Sequence, residues 1–143
     1  MEYLGAIVEY IKQLADITGS DRENCALNAM SIVFSKPYYE VYKAFKAVGR
    51  RGGKGSSIKQ ITEAFNGFKW QSMPGVSSDK FIDKHFQYPT KVKLSLAKFA
   101  RMYPKGKYYV IKSNHALALI DGVWYDNQVP NPRSYVKYFF KVD

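Results

Sequence analysis

The hydrophobic period changes once along this chain, and that change constrains the fold more than any other feature. Up to about residue 105 the apolar residues recur with helical spacing; beyond it they form short runs and alternations. Tyr3, Leu4, Ile7, Val8, Ile11, Leu14 and Ala15 predict an amphipathic helix over residues 3–15. Thr18-Gly19-Ser20-Asp21 breaks it. Asn24 can cap a second helix starting at Cys25, with Ala26, Leu27, Ala29, Met30, Val33 and Phe34 as packing positions. Lys36-Pro37 ends that helix. Tyr38, Val41, Tyr42, Phe45 and Val48 repeat the helical spacing. The stretch from Gly49 to Gly55 reads as a flexible basic loop, and Ser56 or Ser57 can cap a short helix over residues 58–65. Residues 66–90 are less regular, punctuated by Gly67, Pro74, Gly75 and Pro89. A further helix is expected over residues 94–101, starting from Ser95 or Thr90.

Residues 108–112 then read as a strand, and residues 116–120 as a buried strand. Asp121-Gly122 turns that strand onto a hairpin partner, Val123-Trp124-Tyr125. Asn127 to Pro132 reads as a loop, and residues 135–142 alternate like a closing strand. Helices first and an antiparallel sheet afterwards define an α+β chain. At 143 residues it is expected to form one domain, helical over about 1–105 and sheet over about 106–143. No run approaches the ~18 apolar residues of a membrane span. The opening Met1-Glu2-Tyr3-Leu4 lacks a secretory pattern, so a cytoplasmic location is expected.

The net charge is +10, with a pI of about 9.6. Two segments hold the excess: residues 36–59 carry +6 and residues 80–112 carry +8. Aromatics are interleaved with this charge, from Tyr38, Tyr39, Tyr42 and Phe45 to Phe81, Phe86, Tyr88, Phe99, Tyr103, Tyr108 and Tyr109. Such a mixture can contact phosphates and stack on bases. Periodicity, however, assigns most of these rings to the core, and no zinc-finger or RNA-recognition signature accompanies them. The glycines at 49, 52, 53 and 55 do not make a phosphate-binding loop, because Gly55 stands where Ser or Thr is needed. Arg50, Arg51 and Lys54 are the candidates there for contact with a substrate or partner.

The only cysteine is Cys25, which excludes an internal disulfide and a multi-cysteine zinc site. Its expected place is a helix N-terminus, where unpaired N–H groups and the helix dipole stabilise a thiolate. The same N–H groups can hold an oxyanion. His115 begins the buried strand and is the natural base for the thiol. Asp126 ends the hairpin partner, so antiparallel pairing brings it back to His115 as the orienting carboxylate. Asn127 is an alternative orienter. His85 has no partner suggested by its position and reads as a surface residue.

The order Cys, His, Asp on helix and then sheet resembles the papain-like cysteine peptidases. It is closest to the small papain-like, bacteriocin-processing-peptidase-like domains of bacteriophages and bacteria. The carrying residues are Asn24-Cys25-Ala26-Leu27-Asn28-Ala29-Met30, Pro37-Tyr38-Tyr39-Glu40-Val41-Tyr42, the Gly49 to Gly55 loop and Pro104-Lys105-Gly106-Lys107-Tyr108-Tyr109-Val110. The most specific stretch runs from Asn114-His115 through Asp121-Gly122 to Tyr125-Asp126. The resemblance implies a papain-like fold, a Cys25–His115–Asp126 triad and cleavage of a peptide or isopeptide-type amide through a thioester. It calls for no metal and no cofactor. Papain-like enzymes place an oxyanion-hole glutamine upstream of the cysteine, where this chain has Gly19. Asn24 and Ser20 are the substitute candidates.

The expected partner is a peptide or protein substrate, with the charge hinting at an acidic one, bound by a monomer with no membrane attachment. Nucleic acid is a secondary partner. Two other functions fit the same residues: a non-catalytic basic module for nucleic acid or an acidic protein, and a transglutaminase- or deamidase-like acyl transferase.

Overall fold

The computed structural model describes residues 25–51, 55–113, 115–126 and 130–142. The helix expected over residues 3–15 and the break after it lie outside them. Among the described residues there are five helices and five strands.

Helix α1 (Cys25–Phe34) is buried almost all round, through Ala26, Leu27, Asn28, Ala29, Met30, Ile32 and Val33. A helix without a polar face belongs at the centre of a core. It stops at Ser35, which takes a left-handed φ of 52° just before Lys36-Pro37. Helix α2 (Tyr38–Ala47) buries a single face of Tyr38, Val41 and Phe45. Gly49 ends it at φ 101°, with Gly49 N–H bonding Lys46 O and Arg50 N–H bonding Phe45 O. This is a Schellman cap, so the glycine loop begins as a helix terminator.

Helix α3 (Ile58–Gln71) starts as expected at Ser57, whose side chain forms a capping box with Gln60. It runs past the expected end at residue 65, through Gly67. Phe65 and Phe68 are both buried, and their packing outweighs the modest cost of one helical glycine. Helix α4 (Ser78–His85), capped by Ser77, occupies the stretch expected to be irregular. It buries only Phe81, which leaves little periodicity to read. Asn66 holds the segment after α4 in place. Its amide donates to Gln87 O at 2.8 Å and accepts from Gln87 N–H at 2.7 Å.

Strand β1 (Thr90–Ser95) and helix α5 (Leu96–Met102) correct the reading of this region. Ser95, not Thr90, caps the helix. The residues before it form a strand, visible in the alternation Lys91-Val92-Lys93-Leu94. The boundary expected near residue 105 is therefore crossed: the sheet recruits a strand from within the helical part. Strands β2 (Lys107–Lys112), β3 (His115–Ile120), β4 (Val123–Tyr125) and β5 (Tyr135–Val142) follow. Asp121 (φ 49°) and Gly122 (φ 80°) make the β3–β4 turn, whose paired left-handed residues suit a two-residue hairpin.

The sheet order is β1-β5-β2-β3-β4, antiparallel throughout. Both faces are covered. Tyr109, Ala116, Ala118, Phe140 and Val142 pack with α1, α2 and α3. Tyr108, Val110, Leu117, Leu119, Trp124, Val136 and Phe139 pack with Leu96 and Phe99 of α5. The neighbours Tyr108 and Tyr109 thus enter opposite cores, as strand pleating requires. No described helix is long and apolar enough to cross a membrane.

Candidate active site

Cys25 is the first residue of α1 and is partly exposed. The His115 imidazole and the Ala116 backbone N–H stand close enough to its sulfur to stabilise the thiolate. Burial, the largest influence on the thiol, pushes its pKa up. The bonds from His115 and Ala116, with the imidazolium charge, outweigh that and bring it below the ordinary value.

His115 opens β3, directly after the β2–β3 connection. Its Nε2 meets Asp126 Oδ2 at 2.6 Å. With Nε2 committed to the carboxylate, Nδ1 is the ring nitrogen left to serve the thiol. Burial alone would lower the imidazole pKa. The hydrogen bonds to Asp126 and Cys25, reinforced by both negative charges, raise it to about 9. A lowered thiol beside a raised imidazole favours the thiolate–imidazolium form of the pair over the neutral one.

The hairpin explains the reach of Asp126. Ala118 pairs with Tyr125, Leu119 with Trp124 and Ile120 with Val123. Asp126 follows directly after β4, at the end of the sheet where β3 begins, and from there its carboxylate reaches the His115 ring. Asp126 is 5% exposed, which strengthens its bond to the imidazole.

The structure therefore brings together the three residues singled out as catalytic. The oxyanion candidates Asn24 and Ser20, the alternative orienter Asn127 and the contact candidate Lys54 lie outside the described residues. Arg51 is exposed, but Arg50 is only 5% exposed. Arg50 is built into the end of α2 and is not displayed on a basic loop. His85 is half-buried, with its ring 5.8 Å from Phe81, a contact its position in the sequence did not suggest. Among the interleaved aromatics, Tyr38, Phe45, Phe81, Phe99, Tyr108 and Tyr109 are buried, while Tyr39 and Tyr88 are exposed. Among the described residues no cluster of three His, Cys, Asp or Glu side chains could hold a metal ion. An apolar cavity of about 280 Å³ lies on the α5 side, lined by Leu96, Ala100, Arg101, Trp124, Pro130 and Pro132 among others.

One residue of the site was not singled out by its sequence context. Tyr109 is fully buried on β2, and its hydroxyl donates to Ala26 O at 2.9 Å. Only its place in an apolar strand was readable; the bond joins residues 83 positions apart.

No family model, no curated protein and no solved structure matches this chain.

Proposed function

We propose that this chain is a papain-like cysteine peptidase or amidohydrolase that cleaves a peptide or isopeptide-type amide. One observation carries the reading: the His115–Asp126 hydrogen bond set beside Cys25 at the N-terminus of a buried helix, where the imidazole lowers the thiol pKa. The cysteine helix packed against an antiparallel sheet, which supplies His and then Asp, supports the papain-like assignment.

The Cys25 thiolate attacks the substrate carbonyl carbon, and the C=O π pair moves onto oxygen. Backbone N–H groups at the start of α1 stabilise that oxyanion. The tetrahedral intermediate collapses to a thioester. Protonated His115 gives its proton to the leaving amine. Neutral His115 then takes a proton from water, whose oxygen attacks the thioester, and the acid leaves as Cys25 returns to thiolate. Asp126 holds the imidazole in the required tautomer throughout. The charge of +10 favours an acidic peptide or protein as substrate.

The test is the rate of Cys25 alkylation by iodoacetamide across pH. Wild-type protein reacts rapidly well below the ordinary thiol pKa of about 8.5, and His115→Ala loses that advantage. An ordinary thiol titration in the wild type, unchanged in His115→Ala, would overturn the reading.

A further inference from the structure

Tyr109 pairs with Ala118 of β3 on one side and with Phe140 of β5 on the other. Its ring meets Phe140 edge-on, at 6.0 Å and 68°. Its hydroxyl reaches across the core to the carbonyl of Ala26, the residue that follows the nucleophile. The first turn of a helix has no need of this bond, because the groups left over there are N–H donors, not carbonyls. A phenylalanine would fill the same apolar surroundings without burying a hydroxyl that must find a partner. What the bond adds is a fixed link between a central strand and the peptide beside Cys25.

We infer that Tyr109 is a positioning residue for the nucleophile: its hydroxyl, bonded to Ala26 O, ties the first turn of α1 to β2 and holds the Cys25 sulfur within reach of His115 and the Ala116 N–H. This rests on the proposed triad. The ladder makes the link accurate. Tyr109 and His115 stand on adjacent strands whose register runs unbroken from Lys107↔Ile120 to Lys112↔His115. The helix is thus anchored to the same ladder that carries its base. The two bonds that keep the thiol acidic against burial both start on β3, so both depend on α1 staying at its present distance. Burial pushes the Tyr109 phenol well above its ordinary pKa, and the negative charge at Cys25 adds to the shift. The hydroxyl therefore remains a neutral donor and takes no proton-transfer role.

The experiment compares the pH profile of Cys25 alkylation, and the NMR titration of His115, in wild type and Tyr109→Phe. Removing the hydroxyl moves the acid limb of the profile upward, slowing alkylation there about five-fold, with the high-pH plateau unchanged. The His115 titration moves down from about 9 in the same variant. Phe140→Leu loosens the ring contact but keeps the hydroxyl; it lowers the melting temperature and leaves the profile in place. A profile unmoved in Tyr109→Phe, in a protein whose wild type shows the acidic thiol, overturns the inference and leaves the triad standing. Equal shifts in the two variants also overturn it, because packing alone then sets the thiol. An ordinary wild-type thiol removes the triad and this inference together. Should Tyr109→Phe not fold, wild-type NMR decides. Alkylation of Cys25 shifts the Tyr109 ring signals more than those of Tyr108, and no such difference overturns the link.

Discussion

Towards α1, α2 and α3 the sheet presents Tyr109, Ala116, Ala118, Phe140 and Val142; towards α5 it presents Tyr108, Val110, Leu117, Leu119, Trp124 and Phe139. Where α1 packs on β3 the strand residues, Ala116 and Ala118, are small, and the helix answers with Ala26 and Ala29; Tyr109 and Phe140 supply the rings of that face. Small side chains let two backbones approach closely, and a cysteine side chain is short. The α5 side is filled with rings. Phe99 lies 4.7 Å from Tyr103, 5.0 Å from Phe139 and 5.8 Å from Tyr108. Strand β3 thus turns small residues towards α1 and the larger Leu117 and Leu119 towards α5.

Three substitutions separate these roles. Phe99→Ala should have the largest effect on stability, a loss of about 3–5 kcal/mol in chemical denaturation. The folded fraction should keep the wild-type alkylation profile. A shifted profile would mean that the α5 side also positions the thiol. Next in size is Asp126→Asn, which removes the charge that helps hold His115 protonated. Its NMR titration should fall from about 9 by roughly 1–3 units. The imidazolium must protonate the leaving amine, so the alkaline limb of any hydrolytic activity should move to lower pH by the same amount. The smallest effect is expected for Ala118→Val, which overfills the close contact beneath α1. Destabilisation of about 1–3 kcal/mol should accompany slower alkylation at neutral pH. Lost stability with unaltered alkylation would show that close approach is not what places the sulfur.

What could be read from the sequence was local. The Asp121-Gly122 hairpin, the Cys25 helix and its end before Pro37 each have their causes within a few residues. The hairpin also made the Asp126–His115 contact legible, because a tight turn leaves one natural register. The remaining features depend on distant chain. Among the described residues strand β1 pairs only with β5, with Thr90 opposite Phe139, so nothing near residue 90 announces its partner. The continuation of α3 past Gly67 depends on Phe65, which stacks on Phe140 at 4.4 Å. The order after α4 depends on Asn66 reaching Gln87. Tyr109 looked like any strand aromatic because its acceptor stands on the first described helix.

The alternation of neighbouring aromatics has a consequence for how the molecule comes apart. Tyr108 and Tyr109, like Phe139 and Phe140, are adjacent in sequence yet anchor opposite cores. Strand β2 is laddered along its length to both β3 and β5. Neither core can therefore loosen without disturbing a backbone that the other holds. Opening on the α5 side is felt at the thiol only when the whole sheet gives way, so unfolding and loss of the site should be a single cooperative event.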